Sequence, residues 1–259
     1  MGRENMWEWY MRFDGKVAIV TGSGGGIGEG YAKRLAAEGA RVVVADIKVE
    51  GAQRVAREIG GDGGEAIAVA LDIGDDASPY AMAQAAFDAY GGIDFLVNNA
   101  AIYGGMRNET LLEVEFDYYQ HFMNVNLNGA LRCTRACYES MVQRGGGAIV
   151  NQSSTAAWMA VGYYSVAKAA VNSLTACLAV ELAPHNIRIN AIAPGPILTD
   201  ATREMVPEEY QAGLLAQMAI KRLGTPEDLT GTMAFLLSDD SAWLTGKTIA
   251  VDGGQVVRI

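Results

Sequence analysis

The sequence predicts an α/β fold in which helices cover both faces of a doubly wound parallel sheet. Strand-like and helix-like runs alternate along the 259 residues, and this order is typical of such a sheet. The strand-like runs are almost continuously apolar, as in 17–20 and 42–45, which is expected when both faces of a sheet are buried. No repeat or low-complexity linker divides the chain. We therefore expect one domain.

The pattern predicts seven strands and six main helices. The strands are expected at 17–21, 41–46, 66–71, 95–98, 148–152, 187–192 and 248–251. The helices are expected at 27–38, 51–59, 78–90, 113–141, 163–183 and 226–237.

Two segments interrupt the alternation. Residues 1–12, which contain Trp7, Trp9 and Tyr10 beside charged residues, form an N-terminal extension that is either a loose tail or an arm packed on a neighbouring subunit. The domain is expected to span 13–259. Residues 199–223 follow a strand and mix charged with apolar positions. Extra length at the carboxyl end of a strand is often a lid over a ligand site.

Composition excludes several classes of protein. Half of the residues are hydrophobic and 19% are charged, as in soluble globular proteins. We find no apolar run of the ~20 residues that a membrane helix needs and no signal-peptide pattern at the N-terminus, so we expect a cytoplasmic protein. The net charge of −10 argues against a nucleic-acid or anionic-membrane partner.

Cysteine and histidine residues give little support for redox or metal chemistry. The three cysteines, Cys133, Cys137 and Cys177, lack the spacing of zinc or redox motifs, and disulfides are not expected. We interpret Cys133 and Cys137 as small apolar residues of a buried helix. His121 and His185 are far apart in sequence, so we expect neither a metal site nor a histidine triad.

A glycine-rich segment, 21–28, joins the first strand to the first helix. Its glycines follow the pattern Gly-x-x-x-Gly-x-Gly at Gly22, Gly26 and Gly28 rather than Gly-x-Gly-x-x-Gly. Exposed N–H groups and the helix dipole at such a turn favour a pyrophosphate. The segment therefore indicates a nucleotide site.

Asp46 indicates which dinucleotide is bound. It ends the second strand eighteen positions after Gly28, where a carboxylate can accept hydrogen bonds from the adenosine ribose. Neither Ser23 nor Ile47, the positions from which a base could meet a 2′-phosphate, is basic. The sequence therefore favours NAD over NADP, although an Asp at a strand end can also simply cap a turn.

Tyr164 and Lys168 provide a candidate acid/base pair. They are four residues apart in a predicted helix and so lie on one face, one turn apart. A nearby ammonium favours the phenolate and is expected to lower the pKa of the phenol. This spacing alone is common among unrelated helix residues, so its meaning depends on the other motifs.

Taken together, the motifs resemble those of the short-chain dehydrogenase/reductase family, in order and over Gly15 to Gly254. They are Gly22, Gly26 and Gly28, the run Asn98-Asn99-Ala100, Asn126, Ser154, the pair Tyr164 and Lys168, and Pro194-Gly195. The resemblance implies a single Rossmann-type domain that assembles as a homotetramer or homodimer.

The resemblance also implies roles for individual residues. Tyr164 would be the general acid/base, Lys168 would lower its pKa and bind the nicotinamide ribose, and Ser154 would donate to the reacting oxygen, with Ser153 as its rival. Asn126 would hold a water that links Lys168 to solvent. Two positioned donors suit hydride transfer, because charge develops on that oxygen.

The implied cofactor contacts extend along the chain. They are Gly22, Ser23, Gly26, Ile27, Gly28, Asp46, Ile47, Asp72, Ile73, Asn99, Ala100, Tyr164, Lys168, Pro194, Gly195, Ile197 and Thr199. Asp72 would meet the adenine, and Ile197 and Thr199 the carboxamide. For Asn98, a structural role between neighbouring strands is at least as plausible as cofactor contact. Two departures from the family are Ala101, where glycine is common, and the short stretch from Ser154 to Tyr164.

These observations predict an NAD-dependent oxidoreductase that interconverts a secondary alcohol and a ketone. An apolar or aromatic substrate is indicated by five residues near the site, Ile102, Tyr103, Trp158, Met159 and Tyr163. Two alternatives stay open. One is a 3-oxoacyl-thioester reductase, which Asp46 and the acidic charge oppose. The other is a redox-inactive nucleotide-sensing or scaffold protein, which the presence of Tyr164 and Lys168 opposes.

Overall fold

A computed structural model of the chain describes residues 11–205 and 208–257. All but two residues of the expected N-terminal extension lie outside these ranges. The described chain forms one doubly wound parallel sheet of seven strands with helices on both faces, which confirms the predicted fold class. The strands are β1 (Val17–Thr21), β2 (Arg41–Asp46), β3 (Glu65–Ala70), β4 (Phe95–Asn98), β5 (Gly147–Gln152), β6 (Ile187–Pro194) and β7 (Thr248–Val251).

Strand order reverses between β1 and β4. The order across the sheet is β3-β2-β1-β4-β5-β6-β7, and all neighbouring pairs are parallel. The chain winds outward from β1 to β3, then returns to place β4 on the other side of β1. Ligands of open α/β sheets bind in the crevice at such a switch point, outside the carboxyl ends of the strands. The site is therefore expected above Thr21 and Asn98.

Helices pack in two layers. They are α1 (Gly26–Ala37), α2 (Val49–Gly61), α3 (Ser78–Tyr90), α4 (Phe116–Met123), α5 (Gly129–Gln143), α6 (Gly162–Leu182), α7 (Asp200–Met205), α8 (Glu208–Gln217) and α9 (Pro226–Leu237). One core cluster joins α1, α2 and α9 to one face of the sheet. The other joins α3, α5 and α6 to the opposite face. Ala18 and Val20 belong to the first cluster and Ile19 to the second, as strand alternation requires.

The helix predicted at 113–141 differs from the structure. Helix α4 begins at Phe116, and a π-helical turn, Asn124–Asn128, separates it from α5. Such turns often occur at functional sites. Within α5, Cys133 and Cys137 are buried in the core, in agreement with their interpretation as apolar core residues.

The helix that carries Tyr164 and Lys168 is unusually apolar. Residues Gly162–His185 have a mean hydropathy of 1.4 and are long and apolar enough to cross a membrane by length and composition, so our statement that no run reaches this length is corrected. Core helices of soluble proteins pass the same test. Here the helix buries Val171, Leu178 and Leu182 and packs against the sheet, which accounts for its composition without a membrane.

Candidate active site

A cavity of about 1750 Å³ runs along the carboxyl ends of the strands. Among the residues that sequence analysis assigned to the site, the following line its wall: Gly22, Gly26, Ile27, Asp46, Ile47, Asp72, Ile73, Asn99, Ala100, Ser154, Tyr164, Lys168, Pro194, Gly195, Ile197 and Thr199. Ser23, Gly28 and Asn126 do not line it. The motifs spread over the sequence thus meet around one volume.

The glycine-rich turn forms one end of the cavity. Gly22 has φ +63°, and a Cβ there would lie 2.7 Å from Ala100 Cα, so the turn needs a residue without a side chain. Gly25 is the N-cap of α1 and forms no side-chain cap. A Cβ at Gly25 would meet no atom within 4 Å. Gly25, Gly26 and Ile27 line the cavity, so the start of α1 lies at its wall, where the first N–H groups of a helix favour an anion.

Ser23 and Gly28 have structural roles in the glycine-rich turn. The Ser23 hydroxyl is buried, donates to Val20 O at 2.6 Å and accepts from Ala45 N at 3.1 Å, so it joins the ends of β1 and β2. A Cβ at Gly28 would lie 2.2 Å from Gly22 O. Gly28 therefore allows α1 to pack closely on the turn, and cofactor contact by either residue stays a prediction.

The carboxylate of Asp46 lies beside the turn. Its Oδ2 accepts from Gly24 N at 2.9 Å, and its Oδ1 accepts from Lys48 N at 2.8 Å. The group thus holds the glycine-rich turn against the end of β2 while it faces the cavity. Its neighbour Ile47 is 69% exposed on the rim, with no charge to offer a phosphate.

Asp72 and Ile73 lie on the wall after β3. Asp72 is exposed, and its Oδ1 accepts from Gly74 N at 2.8 Å. Ile73 is buried against Gly129, where a Cβ would lie 2.6 Å from Ile73 Cδ1. Ile73 therefore fixes the start of α5 and closes the cavity floor.

The two asparagines after β4 have different roles. Asn99 Nδ2 donates to Thr21 O at 3.0 Å and to Gly22 O at 2.9 Å, so it fastens the glycine-rich turn to β4. Asn98 Nδ2 donates to Asn151 Oδ1 at 2.9 Å, and Asn151 donates to Thr175 in α6. Asn98 therefore connects β4, β5 and α6, which is the structural alternative left open by the sequence.

Ser154 and Tyr164 meet on the cavity wall. Both side chains line the cavity, and the Ser154 hydroxyl is close enough to the Tyr164 phenol to lower its pKa. Ser154 Oγ also accepts from Ala156 N at 3.1 Å, which fixes its orientation. By contrast, Ser153 Oγ is buried and donates to Lys168 O at 3.3 Å. The geometry therefore favours Ser154 over Ser153 as the partner of the phenol.

The protonation of this group differs from our expectation. Burial raises the pKa of the Tyr164 phenol, and the hydrogen bond from Ser154 is the interaction that opposes this rise. Lys168 Nζ lies 5.8 Å from the Tyr164 ring centroid and donates to Gln152 O at 2.9 Å. Burial lowers the pKa of Lys168 to about 8. In this structure the pKa of Tyr164 is therefore raised rather than lowered, and the effect of Lys168 on it stays a prediction.

Asn126 supports the site from behind the wall. It lies in the π-helical turn, its Oδ1 accepts from Ile102 N at 2.7 Å, and its Nδ2 donates to Ile102 O at 3.0 Å. The side chain therefore holds the backbone next to Tyr103. The water-holding role of Asn126 stays a prediction.

Aromatic residues surround the far end of the cavity. The rings of Tyr103 and Tyr164 have centroids 5.5 Å apart, and those of Phe122 and Tyr163 are 4.7 Å apart and edge-on. Of the five residues expected to border a substrate, Trp158 lies off the wall, whereas Ile102, Tyr103, Met159 and Tyr163 line it.

The segment 199–223 covers one side of the cavity. Leu198 N donates to Gly224 O at 2.8 Å, and Gly224 N donates to Pro196 O at 3.0 Å, so its two ends are fastened together. Between them, α7 and Leu214 contribute to the wall. The predicted short helical cover is thus present as α7 and α8, whereas its mobility stays a prediction.

A group of charged side chains near Asp46 was not predicted from the sequence. Glu29 and Lys33 on α1 line the cavity, and Arg54 and Glu58 on α2 pair with them. The spacing of Glu29 with Lys33 and of Arg54 with Glu58 is i,i+4, a signal of helix-surface ion pairs. That signal identifies each pair but not the contact between the helices.

No group of three or more His, Cys, Asp or Glu side chains is placed to hold a metal ion within 11–205 and 208–257. A phenol, a hydroxyl and a buried amine, those of Tyr164, Ser154 and Lys168, line the cavity together with the glycine-rich turn.

Comparisons with known proteins identify the family. A family model described as enoyl-(acyl carrier protein) reductase matches residues 22–255. An uncharacterised oxidoreductase of Mycobacterium tuberculosis strain H37Rv is 57% identical over 95% of this chain and 99% of its own length. A short-chain type dehydrogenase/reductase from Mycobacterium marinum has a crystal structure with a TM-score of 0.90, at 33% identity over 96% of this chain and 98% of its own. The chain belongs to the short-chain dehydrogenase/reductase family.

The predicted family membership is thus confirmed, and the chain is an oxidoreductase by family. One solved short-chain dehydrogenase/reductase with a similar fold is a 7α-hydroxysteroid dehydrogenase complexed with NADH and 7-oxo glycochenodeoxycholic acid. Its TM-score is 0.91 at 34% identity, over 100% of this chain and 99% of its own. The cavity described above lies in the same Rossmann-type framework.

Proposed function

We propose that the protein is an NAD(H)-dependent oxidoreductase that interconverts a secondary alcohol and a ketone. The observation that carries the proposal is the placement of Ser154 and Tyr164 on the wall of a cavity that continues to the glycine-rich turn and Asp46. An acid/base group and a dinucleotide-binding turn in one cavity match what hydride transfer requires.

The residues at the turn fit NAD. The uncapped N-terminus of α1 offers N–H groups to a pyrophosphate. Asp46 is on the wall, and its carboxylate oxygens can accept further hydrogen bonds from ribose hydroxyls. NADH is also the cofactor in the solved 7α-hydroxysteroid dehydrogenase relative. When bound, NAD accepts the hydride from the alcohol carbon or, as NADH, returns it to the ketone.

The chain's own residues move the proton. Tyr164 takes the hydroxyl proton of the alcohol during oxidation and returns it to the ketone oxygen during reduction. Ser154 donates a hydrogen bond to the same oxygen and stabilises the charge that develops there. Lys168, one turn away, holds positive charge near the phenol when protonated and thereby assists loss of the phenol proton. Asn126 holds the Ile102 backbone that carries Tyr103 into the site.

The aromatic and apolar side chains at the far end of the cavity support a largely apolar or aromatic substrate. Tyr103, Tyr163 and Met159 line this end, and such side chains are typical of small-molecule sites. The segment 199–223 is proposed to close over the substrate. We further propose a cytoplasmic homotetramer or homodimer, as the family resemblance implies.

A test uses the purified protein with cyclic, aryl and steroid secondary alcohols and either NAD or NADP. Formation of reduced cofactor, followed by its near-ultraviolet absorbance, is expected with at least one alcohol class and preferentially with NAD. Turnover restricted to 3-oxoacyl thioesters with NADPH would instead favour the reductase alternative. Tight NADH binding without turnover of any substrate would favour the sensing alternative.

A further inference from the structure

Four charged side chains form a closed network between α1 and α2. Arg54 Nη2 lies 2.6 Å from Glu29 Oε2, and Arg54 Nη1 lies 2.8 Å from Glu58 Oε1. Lys33 Nζ lies 2.6 Å from Glu29 Oε1 and 2.7 Å from Glu58 Oε2. Each cation contacts both carboxylates. The network therefore contains two positive and two negative charges and is neutral as a whole.

The network lies at the adenosine end of the proposed cofactor cavity. Glu29 and Lys33 line the cavity together with Gly24 and Asp46. Arg54 Nη2 also donates to Gly24 O at 3.2 Å, while Gly24 N donates to Asp46. The backbone of Gly24 thus connects Arg54 to the Asp46 carboxylate that is proposed to bind the ribose.

Two unpaired cations at this position would favour a phosphate. Guanidinium and ammonium groups form strong charge-assisted hydrogen bonds with phosphate oxygens. Here both cations already have carboxylate partners, and a phosphate would have to displace one of them. Hydrogen bonding to Arg54 is also the main reason that the pKa of Glu29 is lowered, so Glu29 stays charged near neutral pH.

Glu29 and Glu58 share the same partners but differ in position. Glu29 is on the cavity wall, whereas Glu58 is not. The negative charge of Glu29 therefore faces a ligand directly, in addition to holding the two cations. Loss of Glu58 leaves Glu29 to hold both Arg54 and Lys33.

We propose that Glu29 is a specificity-determining residue, which pairs with Arg54 and Lys33 and so withholds both cations from a phosphate on the adenosine ribose. This inference rests on the proposed NAD-dependent function. It adds a second determinant of cofactor choice to Asp46. Glu29 lies on helix α1, whereas Asp46 ends strand β2, and Glu29 acts through neutralised cations instead of direct ribose contact.

Equilibrium binding of NADH and NADPH, followed by energy transfer from protein tryptophan to the reduced nicotinamide, tests the proposal. Glu29→Gln is expected to lower the ratio of the NADPH Kd to the NADH Kd by about fivefold, the scale of one partly screened charge interaction. Glu58→Gln removes the same charge from the same two partners and is the matched control. Its ratio is expected to change by less than about twofold.

Arg54→Gln provides the reverse test and does not depend on how Glu29→Gln folds. It removes one of the two cations that pair with Glu29. The Glu29 carboxylate on the cavity wall is then less neutralised, so the ratio of the NADPH Kd to the NADH Kd is expected to rise. An unchanged ratio in Glu29→Gln, an equal fall in Glu58→Gln, or a fall in Arg54→Gln overturns the proposal.

The experiment separates this inference from the proposed function. Each variant is compared with the wild-type ratio, whichever cofactor the wild type prefers. A wild type that binds NADPH more tightly contradicts the proposed NAD preference. The change between wild type and Glu29→Gln still reports on Glu29 alone.

Discussion

Lys168 Nζ donates a hydrogen bond to the backbone carbonyl of Gln152 at 2.9 Å, although the residue is only 3% exposed. Burial disfavours the charged form and lowers its pKa from 10.5 to about 8. Burial of Lys168 one helical turn from Tyr164 therefore lowers the free energy of unfolding whenever the amine is protonated. Functional sites often contain residues that destabilise the fold in this way.

Lys168→Met is expected to change how stability depends on pH. The folded-state pKa lies below the unfolded-state value, so the unfolded chain binds more protons between about 8 and 10.5. Below the folded-state pKa of about 8, the buried ammonium lowers the unfolding free energy of the wild type by its full amount. As pH rises from about 8 to 10.5, this destabilisation is lost and the wild type becomes more stable. The difference in unfolding free energy, wild type minus Lys168→Met, is expected to rise by about 3 kcal/mol across it. Urea denaturation of both proteins at a series of pH values measures this, and parallel pH profiles would contradict it.

Tyr164→Phe is expected to reduce turnover by about 10²-fold or more, the usual scale for loss of a general acid/base. The change removes the proton-carrying hydroxyl and keeps the ring that packs near Tyr103. NADH binding is expected to persist. Tyr103→Phe is the matched control, because it removes a phenol oxygen from the neighbouring ring, and its effect on turnover should be much smaller. Near-normal turnover by Tyr164→Phe would refute the assignment.

Ser154→Ala and Ser153→Ala separate the two adjacent serines. The Ser154 hydroxyl lies beside the Tyr164 phenol. Loss of this hydroxyl is expected to lower the rate of turnover while the fold stays intact. Ser153 donates to the backbone carbonyl of Lys168 in the interior, so its loss should lower thermal stability more than it lowers turnover. Steady-state rates and melting temperatures of both variants provide the comparison. The assignment fails if Ser153→Ala is the variant with the greater loss of turnover at a temperature where both are folded.

The strands were predictable because parallel strands buried on both faces appear as continuous apolar runs. Accordingly, β1, β2, β4 and β7 have the predicted bounds, β5 and β6 differ by one or two residues at one end, and β3 is shifted by one residue. The π-helical turn, Asn124–Asn128, was not predictable, because widening a helical turn leaves its apolar periodicity almost unchanged.

The sequence predicted which residues lie near the site but not the direction in which their side chains point. Ser23 lies in the glycine-rich motif, yet its hydroxyl bonds Val20 and Ala45 inside the fold. The direction of a side chain in a tight turn depends on backbone torsions that a motif does not specify. The contact between Arg54 and Glu29 depends on how α1 packs against α2, and sequence spacing gives only the pairs within each helix.

Asp46→Asn is expected to narrow the preference for NAD over NADP. The substitution keeps one acceptor oxygen for the Gly24 or Lys48 N–H group but removes the charge that repels a 2′-phosphate. Asp72→Asn is a suitable control, because Asp72 is also a carboxylate on the cavity wall after a strand. Catalytic efficiencies with both cofactors measure the effect. Higher efficiency of the wild type with NADP, or equal shifts in both variants, would argue against the role of Asp46.

The segment 199–223 is proposed to open and close as a cover over the substrate. The hydrogen bonds between Leu198, Gly224 and Pro196 fasten its ends, and Ile220 N donates to Gly253 O at 2.8 Å. Helix α7 lies between these fastened ends and lines the cavity, and we expect it to be the part that moves. Closure would exclude water from the reaction, and opening could limit product release. The alternative is a rigid pair of surface helices.

Limited proteolysis with trypsin distinguishes a moving cover from a rigid one. Arg203 in α7 has a side chain that is 59% exposed and pairs with Asp200, so it is an accessible cleavage site. Cleavage there is expected in the free protein, and protection is expected with NADH plus a substrate analogue. Arg203→Gln removes this site and identifies the fragments that depend on it. Equal cleavage at Arg203 in both states would support the rigid alternative. Arg203 lines the cavity, so a cover that closes over the ligand must make it less accessible to trypsin.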